Sequence, residues 1–186
     1  TVNGTDADLV NMSYSLWAVN GHANTVYNRL KTANASQATI DACMGESLTW
    51  KAMAYFYLVR SFGAVPIIHD NTEELTAGSY NSKYKVEVPD VYEYIIMTLE
   101  KAIELLPENG AAGRIDRYSA EGLLAKVYLT RSGYGQSGSR NQSDLDNAAL
   151  HAKNVIDKSG HNLMDNYADI FRLENNKNEE SLLAWH

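Results

Sequence analysis

The chain has 186 residues, 45% of them apolar, with 16 basic and 23 acidic side chains and a formal net charge of −7. That is enough apolar matter for a buried core, and an acidic balance without clustered Lys and Arg argues against a nucleic-acid partner. The one cysteine, Cys43, cannot close an internal disulfide, and no apolar run nears the roughly 18 residues of a membrane-spanning helix.

The first predicted helix runs from about Asp8 to Thr32, with Asp6 or Asp8 as its cap and Gly21 as a weak point inside it. Leu16, Trp17, Asn24, Tyr27, Asn28 and Leu30 lie along it. Ser36 is placed to cap the next helix, whose first turns Gly45 is expected to make irregular. This second helix holds the most apolar stretch of the chain, Ala52 to Val59, bounded by Lys51 and Arg60. Leu48, Ala52, Tyr55, Val59 and Phe62 make one apolar face, and Trp50, Met53, Ala54 and Tyr57 make another. A helix apolar on two faces has to be buried on more than one side. Gly63 is placed to end it, and Pro66 forbids resumption.

Val65 to His69 reads as a short strand or extended arm, and Asn71 to Lys85 as a long mobile loop without apolar anchors. Pro89 suits the first position of the next helix, with Asp90 and Glu93 complementing its positive end and Leu106-Pro107 stopping it. A Gly-Ala connection from Glu108 to Arg117 leads to a helix from about Ser119 to Arg131. A second mobile stretch runs from Gly133 to Gln142. Ser143-x-x-Asp146 resembles a capping box for the last long helix, which ends at Ser159-Gly160. Tyr167 to Leu173 reads as a helical turn, and Ser181 to Trp185 as a short extended piece.

The central helix recurs. Met53-Ala54-x-x-Tyr57-Leu58-Val59-Arg60-Ser61-Phe62-Gly63 reappears, displaced by 71 residues, as Leu124-Ala125-x-x-Tyr128-Leu129-Thr130-Arg131-Ser132-Gly133. Each copy precedes a second helical pattern: Ile95, Leu99 and Ala102 with Pro107 beyond, then Ala148, Ala152 and Val155 with Gly160 beyond. Small residues let two helices approach closely, and a Tyr fills the groove between them. The expected fold is therefore mostly α, in antiparallel helix pairs resembling tetratricopeptide repeats with long inserted loops. The pairs are predicted near 38–62 with 89–106 and 119–132 with 144–159. Ala54, Ala102, Ala125 and Ala152 are expected at buried helix–helix contacts.

No catalytic constellation emerges. The five histidines lack metal-ligand spacing, and Gly133-x-Gly135-x-x-Gly138 comes after a helix rather than the strand a phosphate loop requires. Glu73-Glu74 and Glu179-Glu180 are adjacent, so their side chains diverge and form no glycosidase pair. Neither metal nor cofactor is expected. The anomaly is aromatic: 12 tyrosines and 3 tryptophans stand against 3 phenylalanines. Tyr and Trp join a flat apolar face to a polar tip, which suits wet interfaces and carbohydrate. Tyr55, Tyr57, Tyr92, Tyr94 and Tyr128 are assigned to packing. Trp17, Tyr80, Tyr84 and Tyr134 fall near ends or in loops and are the candidate ligand contacts.

In combination these motifs resemble the SusD/RagB family of bacterial outer-membrane glycan-capture lipoproteins. Trp17 and Asn28 match the family's helix with a Trp before a late Asn. Glu46, Lys51-Ala52, Tyr55-Phe56-Tyr57 and Gly63-Ala64-Val65-Pro66 match the family's next motifs in order, with Lys51 where the family has Arg. Leu123 to Leu129 looks like its second tetratricopeptide signature. Asn162-Leu163, Tyr167, Ile170-Phe171 and Asn178 to Leu182 look like the segment after its third helix pair. Family members are more than twice this long, and the lipid-bearing Cys and C-terminal half are not matched. The chain is thus expected to be one helical domain, 1–186, from a longer protein. The resemblance implies non-catalytic binding of an oligosaccharide at the outer-membrane surface, in partnership with a TonB-dependent, SusC-like transporter. The alternative is a helical-repeat scaffold that binds a protein partner and no sugar.

Overall fold

In the computed structural model, residues 5–79, 83–111, 113–176 and 178–183 are described. Six α-helices occupy most of them: α1 Ala7–Leu30, α2 Gln37–Phe62, α3 Asn71–Thr76, α4 Val88–Leu105, α5 Arg117–Arg131 and α6 Gln142–Lys158. Two short 3-10 segments, Tyr167–Phe171 and Leu173–Asn175, stand where a helical turn was expected. The chain divides into two compact units, Thr1–Leu105 and Leu106–His186.

The helix ends obey local chemistry. Asp6 Oδ1 accepts from the backbone N–H groups of Asp8 and Leu9 at 3.1 and 3.2 Å, and Ser36 Oγ from that of Thr39 at 3.2 Å. Each satisfies a donor that the first turn leaves orphaned. At the other end of α2, Gly63 takes φ 73°, a conformation that a side chain would strain. Gly45 does not disturb α2, which is continuous through it. Gly45 is buried, and its carbonyl accepts from the Thr49 hydroxyl at 2.9 Å, so packing overrides its weak helix propensity.

In the first unit α2 packs against both α1 and α4, which is why it is apolar on two faces. Tyr55, Phe56 and Leu58 of α2 and Val91, Ile95 and Leu99 of α4 are inaccessible to solvent. The segment 71–85 is not one long loop. Asp70 Oδ1 accepts from the N–H groups of Thr72 and Glu73, and this cap starts the six-residue α3, which buries no residue of its own. The expected strand at Val65 to His69 reduces to an isolated antiparallel bridge between Val65 and Val86.

The second unit is built on α5 against α6. Ala120, Leu124 and Val127 fill its core with Ala148. Asp116 caps α5, and the cap of α6 is Asn141 rather than Ser143: Asn141 Oδ1 accepts from the Asp144 N–H at 3.0 Å. The segment expected to be extended bends at 182–183, and 184–186 lie outside the described residues. It folds onto α5, where Ser119 Oγ donates to the Leu182 carbonyl at 2.7 Å. Gly122 makes room for the Leu182 side chain, since a Cβ there would stand 3.0 Å from Leu182 Cδ1.

The two helix pairs are those that the repeat pattern implies, and they run antiparallel. Ala54, Ala102 and Ala125 are buried; Ala152 is only half-buried, because α6 turns much of its surface to solvent. Enlarging a buried small residue forces off-rotamer neighbours apart. Ala125→Leu is expected to destabilise by about 1–3 kcal/mol, read from the urea midpoint. An unchanged midpoint would count against the helix-pair packing.

Candidate functional site

The face of α1 toward α2 carries Asn20, Asn24 and Asn28, spaced four apart and so stacked along one side of the helix. They hold a non-helical stretch of chain against the core. Asn20 and Asn24 each donate from Nδ2 to the Ile68 carbonyl, at 3.4 and 3.0 Å. Asn24 Nδ2 also donates to Asn71 Oδ1 at 2.7 Å, and Asn28 Nδ2 to Asp70 Oδ2 at 2.6 Å. The Tyr55 hydroxyl accepts from the Ile68 N–H at 2.8 Å. Buried backbone groups need such partners wherever regular structure does not supply them. Asn20 Oδ1 is the exception, buried with no hydrogen-bond partner among the described residues.

Lys51 enters from α2 and is only 7% exposed. Its Nζ donates to Asn24 Oδ1 at 2.6 Å and lies 5.5 Å from the centre of the Tyr94 ring. Burial pushes its pKa down from 10.5 to about 8, opposed in part by the charge of Asp70. Tyr94, on α4, meets Tyr55 edge-on at 5.1 Å and His69 at 5.2 Å, and its hydroxyl is 3.4 Å from His69 Nδ1. Burial pushes the Tyr55 phenol up to about 12 and raises that of Tyr94 as well, so both are neutral at ordinary pH. The imidazole of His69 is held below its usual range by burial and then by the charges of Lys51 and Lys83.

Asn24, Asn28, Lys51, His69, Asp70 and Tyr94 line a cleft of about 520 Å³. Ala23, Asn24, Ser47, Lys51 and Thr98 form its buried lining, while Met97 and His69 stand exposed at its edge. Chemically it offers a cation at depth, amide and hydroxyl groups around it, and apolar surface beside them. Such a set binds and orients polar molecules. Among the described residues, no three His, Cys, Asp or Glu side chains gather as a metal site would require.

The aromatic candidates lie elsewhere. Trp17 is half-buried, its ring edge-on to Tyr55 at 5.9 Å, so packing occupies at least part of it. Tyr84 is 88% exposed. Tyr134 is half-exposed in the second unit, just beyond α5. Tyr80 lies outside the described residues. None of Trp17, Tyr84 and Tyr134 lines the cleft. Lys51, His69 and Asp70 of the cleft were not among the sequence candidates. The available signal was the asparagine stripe, because three amides on the buried face of a helix must have something to bond.

A family model described as starch-binding and associating with the outer membrane, SusD-like, matches residues 5–129. A SusD-like protein of Bacteroides ovatus is 37% identical over 186 residues, an alignment covering 98% of this chain and 34% of that protein. A crystal structure containing xylogluco-oligosaccharide is similar at TM-score 0.87 and 35% identity, over 98% of this chain and 36% of the other. A laminarin-binding SusD-like protein is similar at TM-score 0.78 and 28% identity, over 90% and 35%. The chain therefore spans about a third of the length of these relatives.

Proposed function

The chain belongs to the SusD-like family, and from that premise we propose that it takes part in non-catalytic capture of oligosaccharides at a bacterial cell surface. The observation that carries this reading is the likeness, over nearly the whole chain, to a structure holding a xylogluco-oligosaccharide. The laminarin-binding relative supports a glycan ligand independently. On this reading 1–186 is one helical domain of a longer protein, placed at the outer-membrane surface, and bound sugar passes to a TonB-dependent, SusC-like transporter. Exposed Tyr84 and Tyr134, with Trp17 and Tyr80, are the proposed sugar contacts. A ring's C–H face lies on the aromatic while its hydroxyls find polar neighbours.

A second reading, a scaffold for a protein partner, draws on one feature. Leu163, Phe171 and Leu173 of the second unit are between 72% and 91% exposed, apolar surface of the kind a protein partner covers. Electrophoresis of the whole gene product through gels containing xyloglucan or laminarin separates the two. Retardation that weakens in Tyr84→Ala, an exposed position whose loss leaves the fold intact, supports glycan capture. Free migration through both gels and through gels of other glycans, with a protein partner recovered, would replace it by the scaffold.

A further inference from the structure

We propose that the cleft around Lys51 is a binding site for a uronic acid, the sugar's carboxylate pairing with Lys51 Nζ and its hydroxyls with the surrounding amides and hydroxyls. This goes beyond the aromatic contacts above, and it stands or falls separately from them.

The first argument is the state of Lys51. An ammonium has three donors, and here one neutral acceptor, Asn24 Oδ1, and the face of Tyr94 are its partners. A buried cation so thinly solvated is stabilised most by an anion beside it. The charge of Asp70 reaches Lys51, but among the described residues its oxygens accept from other donors: Oδ1 caps α3 and Oδ2 accepts from Asn28.

The second is the charge of the surroundings. From α1, Tyr27 and Lys31 face the cleft; from α4, Tyr94 and Lys101; from the segment before α3, His69 and Asp70; and from α3 itself, Glu73. Lys31 thus adds an exposed cation and Lys101 one that is ion-paired with Glu104 at 2.7 Å, while Glu73 is an exposed carboxylate at the edge. The third is what remains for hydroxyls. Ser47 and Thr98 donate to the carbonyls of Met44 and Tyr94, which leaves their oxygen lone pairs to accept from a sugar. A volume of about 520 Å³ lies within the range of small-molecule sites and accommodates a monosaccharide.

The test is calorimetric titration of the whole gene product with D-glucuronate and with D-glucose. Glucuronate is expected to bind at least about tenfold more tightly near neutral pH. Its affinity should fall as pH rises through about 8, where Lys51 sheds its proton while the ligand's carboxylate remains ionised. Lys51→Met should abolish the preference. If that variant does not fold, Met97→Trp serves, since it obstructs the exposed edge without touching the buried network and should weaken glucuronate binding. Equal affinity for the two sugars, no binding of either, or a preference indifferent to pH would overturn the proposal. Capture of neutral oligosaccharide by the whole gene product would be untouched by any of these results.

Discussion

Asn24→Leu is expected to remove about 2–3 kcal/mol from the stability of the first unit, the cost of leaving a buried charge without its hydrogen-bond acceptor. The side chains are similar in size, so the loss is chemical rather than steric. Asn24 accepts from Lys51 and donates to both the Ile68 carbonyl and Asn71, and leucine does none of these. The pH dependence identifies the charge as the cause. The folded-state pKa of Lys51, about 8, lies below its ordinary 10.5, so between these values the unfolded chain binds more protons than the folded one. Stability from this group is therefore lowest below pH 8 and rises as pH climbs from about 8 to 10.5. In the variant the ammonium has lost its acceptor, and the rise should begin at lower pH. Urea denaturation across that range checks both statements. A loss below about 1 kcal/mol would show that water replaces the amide and that Lys51 is not buried in solution.

The second large effect belongs to the other unit. Arg131 on α5 donates from Nε and a terminal nitrogen to the two oxygens of Asp144 on α6, at 3.1 and 2.6 Å. The guanidinium also lies 5.2 Å from the centre of the Tyr128 ring. Asp144 is nearly buried and Arg131 mostly so, which makes this a bidentate pair across the helix interface rather than a surface contact. Asp144→Leu should cost about 2–4 kcal/mol, somewhat less than a fully buried pair because Arg131 retains some solvent. Adding Arg131→Met should recover most of the loss, since an apolar pair of similar volume leaves no charge stranded. Thermal unfolding of the two single variants and the double variant measures the coupling. Additive losses would mean that the pair contributes little to joining α5 and α6.

Much of the architecture was legible because its determinants are local. Asp6, Ser36 and Gly63 mark helix ends by chemistry acting within four residues, and the two apolar faces of α2 state that it has neighbours on both sides. The misread places lacked such a signal. The helix α3 has six residues and no buried side chain, so nothing periodic announces it; Asp70 alone starts it. Asn141 and Ser143 are both good caps, and only the backbone geometry decides between them. Gly45 was overridden by tertiary packing. The cleft was the least legible, because its parts are distant in sequence: Lys51 is 27 residues from Asn24, and Asn28 is 42 from Asp70. Exposed aromatics suggest ligand contact from composition alone, but a lysine between apolar residues reads as a surface charge until the fold buries it.

Capture and the absence of cleavage are both addressed by one experiment. The whole gene product is titrated calorimetrically with xylogluco-oligosaccharide and with laminarin-derived oligosaccharides, and the recovered sugar is then assayed for new reducing ends. Saturable binding of at least one glycan, with the sugar returned intact, is the predicted result. New reducing ends, or no binding to any glycan tried, would contradict it.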